Sequence, residues 1–282
     1  MYSNPGPQAV SYLFVDGAYL TTFARNAGDL WYGEAAQIDY AVLGAGFRKV
    51  FYYDCLPART DKESVEEFAR KTSEKEDFFN SLRSINGWHV SEGLAKWKKK
   101  SGSRQKEIDI SIAVDMLTHT YRKNMDQLTF VAGDQDFRPL LEAVVREGMY
   151  VTLKYGATSI SRDLMHAADA KTELGIYELH GLCTANFKKR HPLPSLVARA
   201  GNGVLEQEII EVAYRETIEV AWLSRSRFQN VGYVLTTAYL FPDAAPQMLD
   251  YESHSIDLLK KTFGFCHGAV EWKSVSIVVT VA

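Results

Sequence analysis

Aspartates at the ends of predicted strands are the residues of this chain most able to do chemistry. Two of them, Asp134 and Asp136, lie in the run Val-Ala-Gly-Asp-Gln-Asp-Phe directly behind an apolar strand. Carboxylates gathered at the C-terminal ends of parallel strands repel one another unless a hard cation or a proton lies between them. Their clustering therefore indicates a Mg²⁺ or Mn²⁺ site, and such sites most often act on phosphate esters.

Asp16 is a further candidate metal ligand, because it follows the apolar run 10–15 and precedes Gly17. An aspartate in that place is also a common N-cap of a helix, and both interpretations stay open for Asp16. Asp134 and Asp136 have the same two interpretations. Capping needs only one carboxylate, however, so the second acid two positions on favours a metal site there.

Asp109 and Asp115 fall on one helix, predicted over residues 107–122 with Ile110, Ala113, Val114 and Leu117 as its apolar positions. Their spacing places them about 120° apart around the helix axis, so both cannot point straight at one ion. Asp109, nearer the helix start, is the preferred ligand. For Asp115 two interpretations stay open: a supporting or alternative ligand, or an acid that is only solvated or capping.

A basic loop with one tryptophan leads into that helix. The net charge of the chain is only −3, so contact with nucleic acid depends on a local basic patch of this kind. The loop could hold a phosphodiester backbone while the indole stacks on a base, or it could be solvated surface. Its candidate substrate-binding residues are Trp97, Lys98, Lys99, Lys100, Arg104 and Lys106.

Alternating elements must position these residues, and the pattern predicts an α/β fold with a mostly parallel sheet. The predicted strands are 10–15, 49–53, 88–90, 128–132, 150–154 and 176–179. We expect a first domain over residues 1–185, a basic, proline-bearing linker over 186–200, and a small α+β domain over 201–282. In the last of these, residues 205–223 are predicted to be helical, and 232–241 and 275–281 to be strands.

Composition narrows the class of protein. Of 282 residues, 46% are hydrophobic and 24% charged, which is typical of a folded protein and excludes disordered and collagen-like classes. We expect neither a signal peptide nor a membrane span, since the longest apolar stretches are strand-sized. The three cysteines are too scattered for a zinc site or a disulfide framework, which favours a reducing cytoplasm.

These residues together resemble the NYN branch of the PIN-like ribonucleases, especially the LabA-like subgroup. The resemblance spans residues 10–180 and depends on five short motifs occurring in the family's order. They are Phe-Val-Asp-Gly-Ala-Tyr-Leu at 14–20, Tyr-Tyr-Asp at 52–54, Lys-Glu-Ile-Asp at 106–109, Val-Ala-Gly-Asp-Gln-Asp-Phe at 131–137, and Leu-Met-His-Ala-Ala-Asp at 164–169. The chain departs from many relatives at Tyr19, where asparagine is frequent, and at Glu107, where glycine is frequent.

The resemblance implies a PIN-like three-layer domain that binds Mg²⁺ or Mn²⁺ through acidic residues and hydrolyses RNA. By matching position, the catalytic acids would be Asp16, Asp109, Asp134 and Asp136. The basic loop would suit single-stranded or irregular RNA better than a rigid duplex. The C-terminal hundred residues fall outside the resemblance.

Other functions remain open at this point. The first is a non-catalytic RNA-binding or regulatory protein whose C-terminal domain docks a protein partner or a second copy of the chain. A haloacid-dehalogenase-type phosphatase is disfavoured, because its nucleophilic aspartate is followed two residues later by a second aspartate. Here Asp16 is followed by Gly17 and Ala18.

Overall fold

The computed structural model describes residues 9–59, 63–93, 102–156, 160–200, 208–226, 232–239 and 247–278. The chain divides into two units, Met1–Lys188 and Lys189–Ala282. None of the helices in the described ranges combines the length and the apolar character needed to cross a membrane.

The first unit is built on a parallel sheet, as predicted. Its described strands are β1 (Ser11–Asp16), β2 (Lys49–Cys55), β3 (Trp88–Gly93), β4 (Gln127–Val131), β5 (Tyr150–Tyr155) and β6 (Ala170–Glu173). They lie in the order β3-β2-β1-β4-β5-β6. Val15 on β1 is in register with Tyr52 on β2 and with Val131 on β4. The strand order reverses at β1, which is where doubly wound folds open a crevice for ligands.

Helices cover both faces of this sheet. They are α1 (Gly17–Tyr32), α2 (Tyr40–Leu43), α3 (Val65–Arg83), α4 (Gly102–Tyr121), α5 (Arg138–Arg146), α6 (Arg162–His166), α7 (Ile176–Gly181) and α8 (Ala185–Arg190). On one face, Phe14 and Phe130 pack with Ile112 of α4. On the other, Val15 packs with Leu20 of α1 and Phe79 of α3. The expected three-layer PIN-like architecture is confirmed.

The second unit contains an antiparallel sheet, consistent with the predicted α+β character. Its described elements are β7 (Ser195–Ala200), β8 (Glu208–Arg215), β9 (Ile218–Arg225), β10 (Tyr233–Tyr239), β11 (Gln247–Ser253), α9 (Ile256–His267) and β12 (Glu271–Val278). The strand order is β12-β8-β9-β10-β11-β7.

Three predicted elements are wrong. The helix predicted over residues 205–223 is, from Glu208 onward, the β8–β9 hairpin, which turns at Glu216 with a φ of 58°. The strand predicted over 176–179 is helix α7, because Ile176 and Leu179 are both buried at helical spacing and β6 completes the sheet at Ala170–Glu173. The linker predicted over 186–200 contains most of α8 and all of β7, which pairs with β11.

The buried face of α4 also differs from the prediction. Ile110 is 64% exposed and Val114 is 55% exposed, whereas Ile108, Ile112 and Met116 lie in the core. Both sets have helical spacing, so the pattern alone does not decide which one faces the sheet. The observed rotation leaves Asp109, next to Ile108, half-buried.

Candidate active site

Acidic residues converge at the carboxyl edge of the first sheet. β1 ends at Asp16, its neighbour β2 carries Asp54 near its end, and β4 is followed within three residues by Asp134. Because β1, β2 and β4 are adjacent and parallel, these side chains meet on the same edge.

Asp16 both caps α1 and belongs to this acidic edge. Its Oδ1 accepts a hydrogen bond from the Tyr19 backbone N–H at 3.0 Å, and the residue is only 7% exposed. Burial raises the pKa of Asp16 to about 6, and the charges of Asp109 and Asp54 act in the same direction. Since a carboxylate has two oxygens, capping and metal binding are compatible roles for Asp16.

Gly17 fixes the backbone directly after Asp16. A Cβ at this position would lie 2.4 Å from the Cζ of Tyr52, and Tyr52 is fully buried. The ring of Tyr52 therefore packs against the first turn of α1 in space that only a glycine leaves. The Tyr52 hydroxyl donates to Oδ2 of Asp54 at 3.4 Å, so one ring connects the ends of β1 and β2.

Asp136 lies on a short 3₁₀ turn, Gln135–Phe137, that leads into α5, and Asp134 directly precedes this turn as its N-cap. Oδ1 of Asp134 caps this turn by accepting the Asp136 N–H at 3.0 Å. Phe137 anchors the turn edge-on against Phe130, with 5.0 Å between the ring centroids. Pro139 lies in the first turn of α5, where its missing N–H leaves no helical hydrogen bond unmade. Asp134 is half-buried and Asp136 exposed, so both carboxylates reach solvent.

Asp109 interacts by charge both with Asp16 at the end of β1 and with the acids of the turn after β4. Burial raises the pKa of Asp109, and the charges of Asp134 and Asp136 raise it further. The charge of Asp109 in turn raises the pKa of Asp16. Helix α4 thus carries one carboxylate into electrostatic reach of both the β1 end and the β4 turn. The charge of Asp109 thus connects it with each of the other three predicted acids, and we call Asp16, Asp109, Asp134 and Asp136 the acidic cluster.

Asp115 has a different set of neighbours. Its Oδ2 accepts a hydrogen bond from the Tyr53 hydroxyl at 2.8 Å. Burial lowers the pKa of His119 and of His89, and the charge of Asp115 opposes that shift in both. The structure therefore places Asp115 in a polar contact between α4 and β2, and its role as a metal ligand stays a prediction.

Asp54 and Lys75 are site neighbours that the sequence did not identify as functional. Nζ of Lys75, on α3, lies 2.6 Å from Oδ2 of Asp54. Oδ1 of Asp54 accepts the Cys55 N–H at 2.7 Å. The position of Asp54 at a strand end was a usable signal. No sequence pattern distinguishes Lys75, because it is one of many charged residues on α3.

Part of the predicted RNA-binding set lies outside the described residues, namely Trp97, Lys98, Lys99 and Lys100. Arg104 and Lys106, predicted to lie in the loop, belong instead to the first turns of α4, which begins at Gly102, and their side chains are not described. The role of the basic loop in substrate binding stays a prediction.

The donor chemistry of the acidic cluster fits a hard divalent cation, since all four side chains offer carboxylate oxygens of the kind Mg²⁺ and Mn²⁺ prefer. Within the described ranges, no three His, Cys, Asp or Glu side chains are arranged to hold a metal ion together. The side chains of the acidic cluster are thus of the type that binds such an ion, but within the described ranges they do not form a closed coordination shell.

The fold and the cluster define the class of protein: a doubly wound α/β domain of the PIN-like type with acidic residues at its carboxyl edge. The model of the NYN domain family matches residues 11–175, and the chain belongs to this family of PIN-like nucleases. Membership of the LabA-like subgroup stays a prediction.

Other comparisons add little about function. A comparison with curated proteins gives no match. Among solved structures, the chain is similar to VPA0982, a protein of unknown function from Vibrio parahaemolyticus. The two share 16% sequence identity over 64% of this chain and 100% of that one, with a TM-score of 0.45.

Proposed function

We propose that the chain is a metal-dependent ribonuclease that hydrolyses RNA phosphodiester bonds at the acidic cluster. The observation that carries this proposal is the position of Asp109, which is within electrostatic reach of Asp16 on one side and of Asp134 and Asp136 on the other. Like charges gathered at the carboxyl edge of a NYN fold destabilise the protein unless a cation offsets them. Their function as cation ligands explains why they lie together.

In this proposal the residues that hold Mg²⁺ or Mn²⁺ are Asp16, Asp109, Asp134 and Asp136. When bound, such an ion polarises the scissile phosphate and lowers the pKa of a bound water. The chain's own contribution is positioning. The cap on the Tyr19 N–H fixes Asp16, the cap on the Asp136 N–H fixes Asp134, and neither carboxylate has to act as a nucleophile.

RNA binding, in this proposal, depends on the basic loop. Lys98, Lys99, Lys100, Arg104 and Lys106 would contact phosphates and Trp97 would stack on a base. The described part of this basic segment, from Gly102 onward, is the start of α4, and Asp109 follows Lys106 by three residues. A strand bound along the loop would therefore be led toward the acidic cluster, which favours single-stranded or irregular RNA.

A second candidate function is a non-catalytic RNA-binding or regulatory protein, whose C-terminal unit docks a partner. Two observations favour it. No three acidic side chains in the described ranges are poised to hold an ion. Tyr19 stands at a position where many relatives have asparagine. Its hydroxyl accepts a hydrogen bond from the Gly156 N–H at 2.8 Å and so connects α1 to the residue after β5.

Cleavage of a mixed substrate panel separates the two functions. We would incubate the protein with labelled single-stranded RNA, structured RNA and DNA in Mn²⁺, Mg²⁺ or EDTA. The ribonuclease proposal predicts cleavage of single-stranded or irregular RNA that depends on the metal and stops in EDTA. RNA binding without cleavage under all conditions would favour the regulatory function.

A further inference from the structure

Lys75 brings a positive charge to the acidic edge of the sheet. Its ammonium lies 2.6 Å from Oδ2 of Asp54, and the two side chains are 22% and 8% exposed. The ammonium also lies 5.2 Å from the ring centroid of Phe78 and 5.1 Å from that of Phe79. An ion pair enclosed in this way is screened little by solvent, and removing one partner leaves an unpaired buried charge.

Both oxygens of Asp54 are engaged by the protein itself. Oδ1 accepts the Cys55 N–H at 2.7 Å. Oδ2 accepts from Lys75 and, at 3.4 Å, from the Tyr52 hydroxyl. Asp54 is therefore satisfied without an external cation, unlike the carboxylates of the acidic cluster, which have no lysine or arginine ion-pair partner in the described ranges.

Asp54 is nevertheless close enough to the cluster to affect it. The residue before it, Tyr53, is in register with Asp16, and the charge of Asp54 acts on Asp16. Without a fixed positive charge, Asp54 would be a further carboxylate at the same edge, and a second divalent ion could be held beside the first.

We propose that Lys75 is a permanent cation of this site, which occupies Asp54 and so confines divalent-ion binding to the acidic cluster. The inference rests on the proposed function, because it concerns how many ions the nuclease site takes. It identifies Lys75 as a positioning residue that acts through Asp54.

Lys71 provides a matched control on the same helix. It lies one turn before Lys75, and its ammonium pairs with Glu63 at 2.5 Å while half of the lysine side chain is exposed. Lys71→Met therefore removes the same charge and side-chain type from α3 without exposing Asp54.

Counting bound Mn²⁺ tests the proposal. The full chain and its variants would be titrated with Mn²⁺, and free Mn²⁺ would be followed by its room-temperature EPR signal. We expect a single bound ion for the wild type and for Lys71→Met, and a second for Lys75→Met. The double variant Lys75→Met with Asp54→Asn should return to a single ion, because the carboxylate that takes the second ion is gone.

Thermal melting of the same samples adds a readout that does not depend on activity. Mn²⁺ should raise the Tm of Lys75→Met by more than that of the wild type, since the ion replaces a missing counter-charge. Lys75→Gln serves as a milder variant should Lys75→Met fail to fold, because its amide can still donate to Asp54 while carrying no charge.

The outcomes are distinguishable. One ion in the wild type and still one in both Lys75 variants would overturn the role of Lys75 and leave the proposed nuclease site intact. Two ions in the wild type would also overturn it. No ion in the wild type would contradict the metal-dependent function itself and, with it, this inference.

Discussion

The carboxylate of Asp109, on helix α4, raises the pKa of Asp16, on the end of strand β1, beyond the effect of burial alone. The two residues are far apart in the sequence and reach one edge of the sheet from different elements. Nothing in core packing requires two acids there, and their repulsion lowers the stability of the folded chain. This relationship is the basis of the first prediction.

Asp16→Asn should stabilise the metal-free protein at neutral pH. Asparagine can still cap α1 through the Tyr19 N–H, so the change mainly removes a buried charge. A pKa raised from 3.8 to about 6 corresponds to a gain on the order of 2–3 kcal/mol in the free energy of unfolding. Urea unfolding in EDTA would measure it.

The pH dependence of this effect follows from its sign. Because the pKa of Asp16 is higher in the folded state, its contribution favours folding below about pH 4 and is lost as the pH rises through about 6. The gain from Asp16→Asn should therefore shrink toward zero at pH 4. Asp39→Asn is the control, since Asp39 caps α2 in the same manner, and we expect little change. Equal gains in both variants would contradict the account.

Gly17→Ala should destabilise the first unit and impair cleavage together. The new methyl group would overlap the ring of Tyr52, which is fully buried. We expect a loss of roughly 1–3 kcal/mol, as for other overpacked sites. Gly181→Ala, with open space around its Cβ, should be neutral. Thermal melting of both variants distinguishes overlap from a general cost of replacing glycine.

Histidine protonation should weaken the second unit in acid. Burial lowers the pKa of His267, with the charge of Arg215 acting in the same direction, and the ring bonds the Tyr251 hydroxyl at 2.8 Å. A folded-state pKa below the ordinary 6.5 means that stability is present above pH 6.5 and is lost as the pH falls. His267→Gln should flatten the stability profile of this unit between pH 7 and pH 5. The same change at the exposed His254 should leave the slope in place.

Asp109 and Asp115 should differ sharply although both lie on α4. Asp109→Asn removes a member of the acidic cluster, so we expect cleavage to fall by at least about 100-fold. Asp115→Asn weakens the bond from the Tyr53 hydroxyl, which should cost about 1 kcal/mol of stability while most cleavage remains. Comparable losses of cleavage would instead make Asp115 a ligand.

The sequence predicts a site residue more reliably when an acidic side chain follows a predicted strand than when its place depends on how a helix packs. Asp16 and Asp134 follow apolar strands, and parallel strands bring their ends together whatever the helices do. The pairing of Asp54 with Lys75 could not be predicted, because it depends on which face of α3 meets β2. The predicted buried face of α4 is wrong for the same reason. Apolar residues at helical spacing begin both at Ile108 and at Ile110, and the pattern does not show which set faces the sheet. The sequence predicts a helix where the chain forms the β8–β9 hairpin, because the apolar residues of 208–225 satisfy both periods over short windows.

RNA cleavage by the Asp134→Asn variant tests the central claim most directly. Asparagine can keep the cap on the Asp136 N–H, so the 3₁₀ turn should remain folded. The account predicts that the variant melts no lower than the wild type and loses Mn²⁺-dependent cleavage of single-stranded RNA. A folded variant that cleaves RNA at the wild-type rate would contradict the assignment of the acidic cluster as the active site.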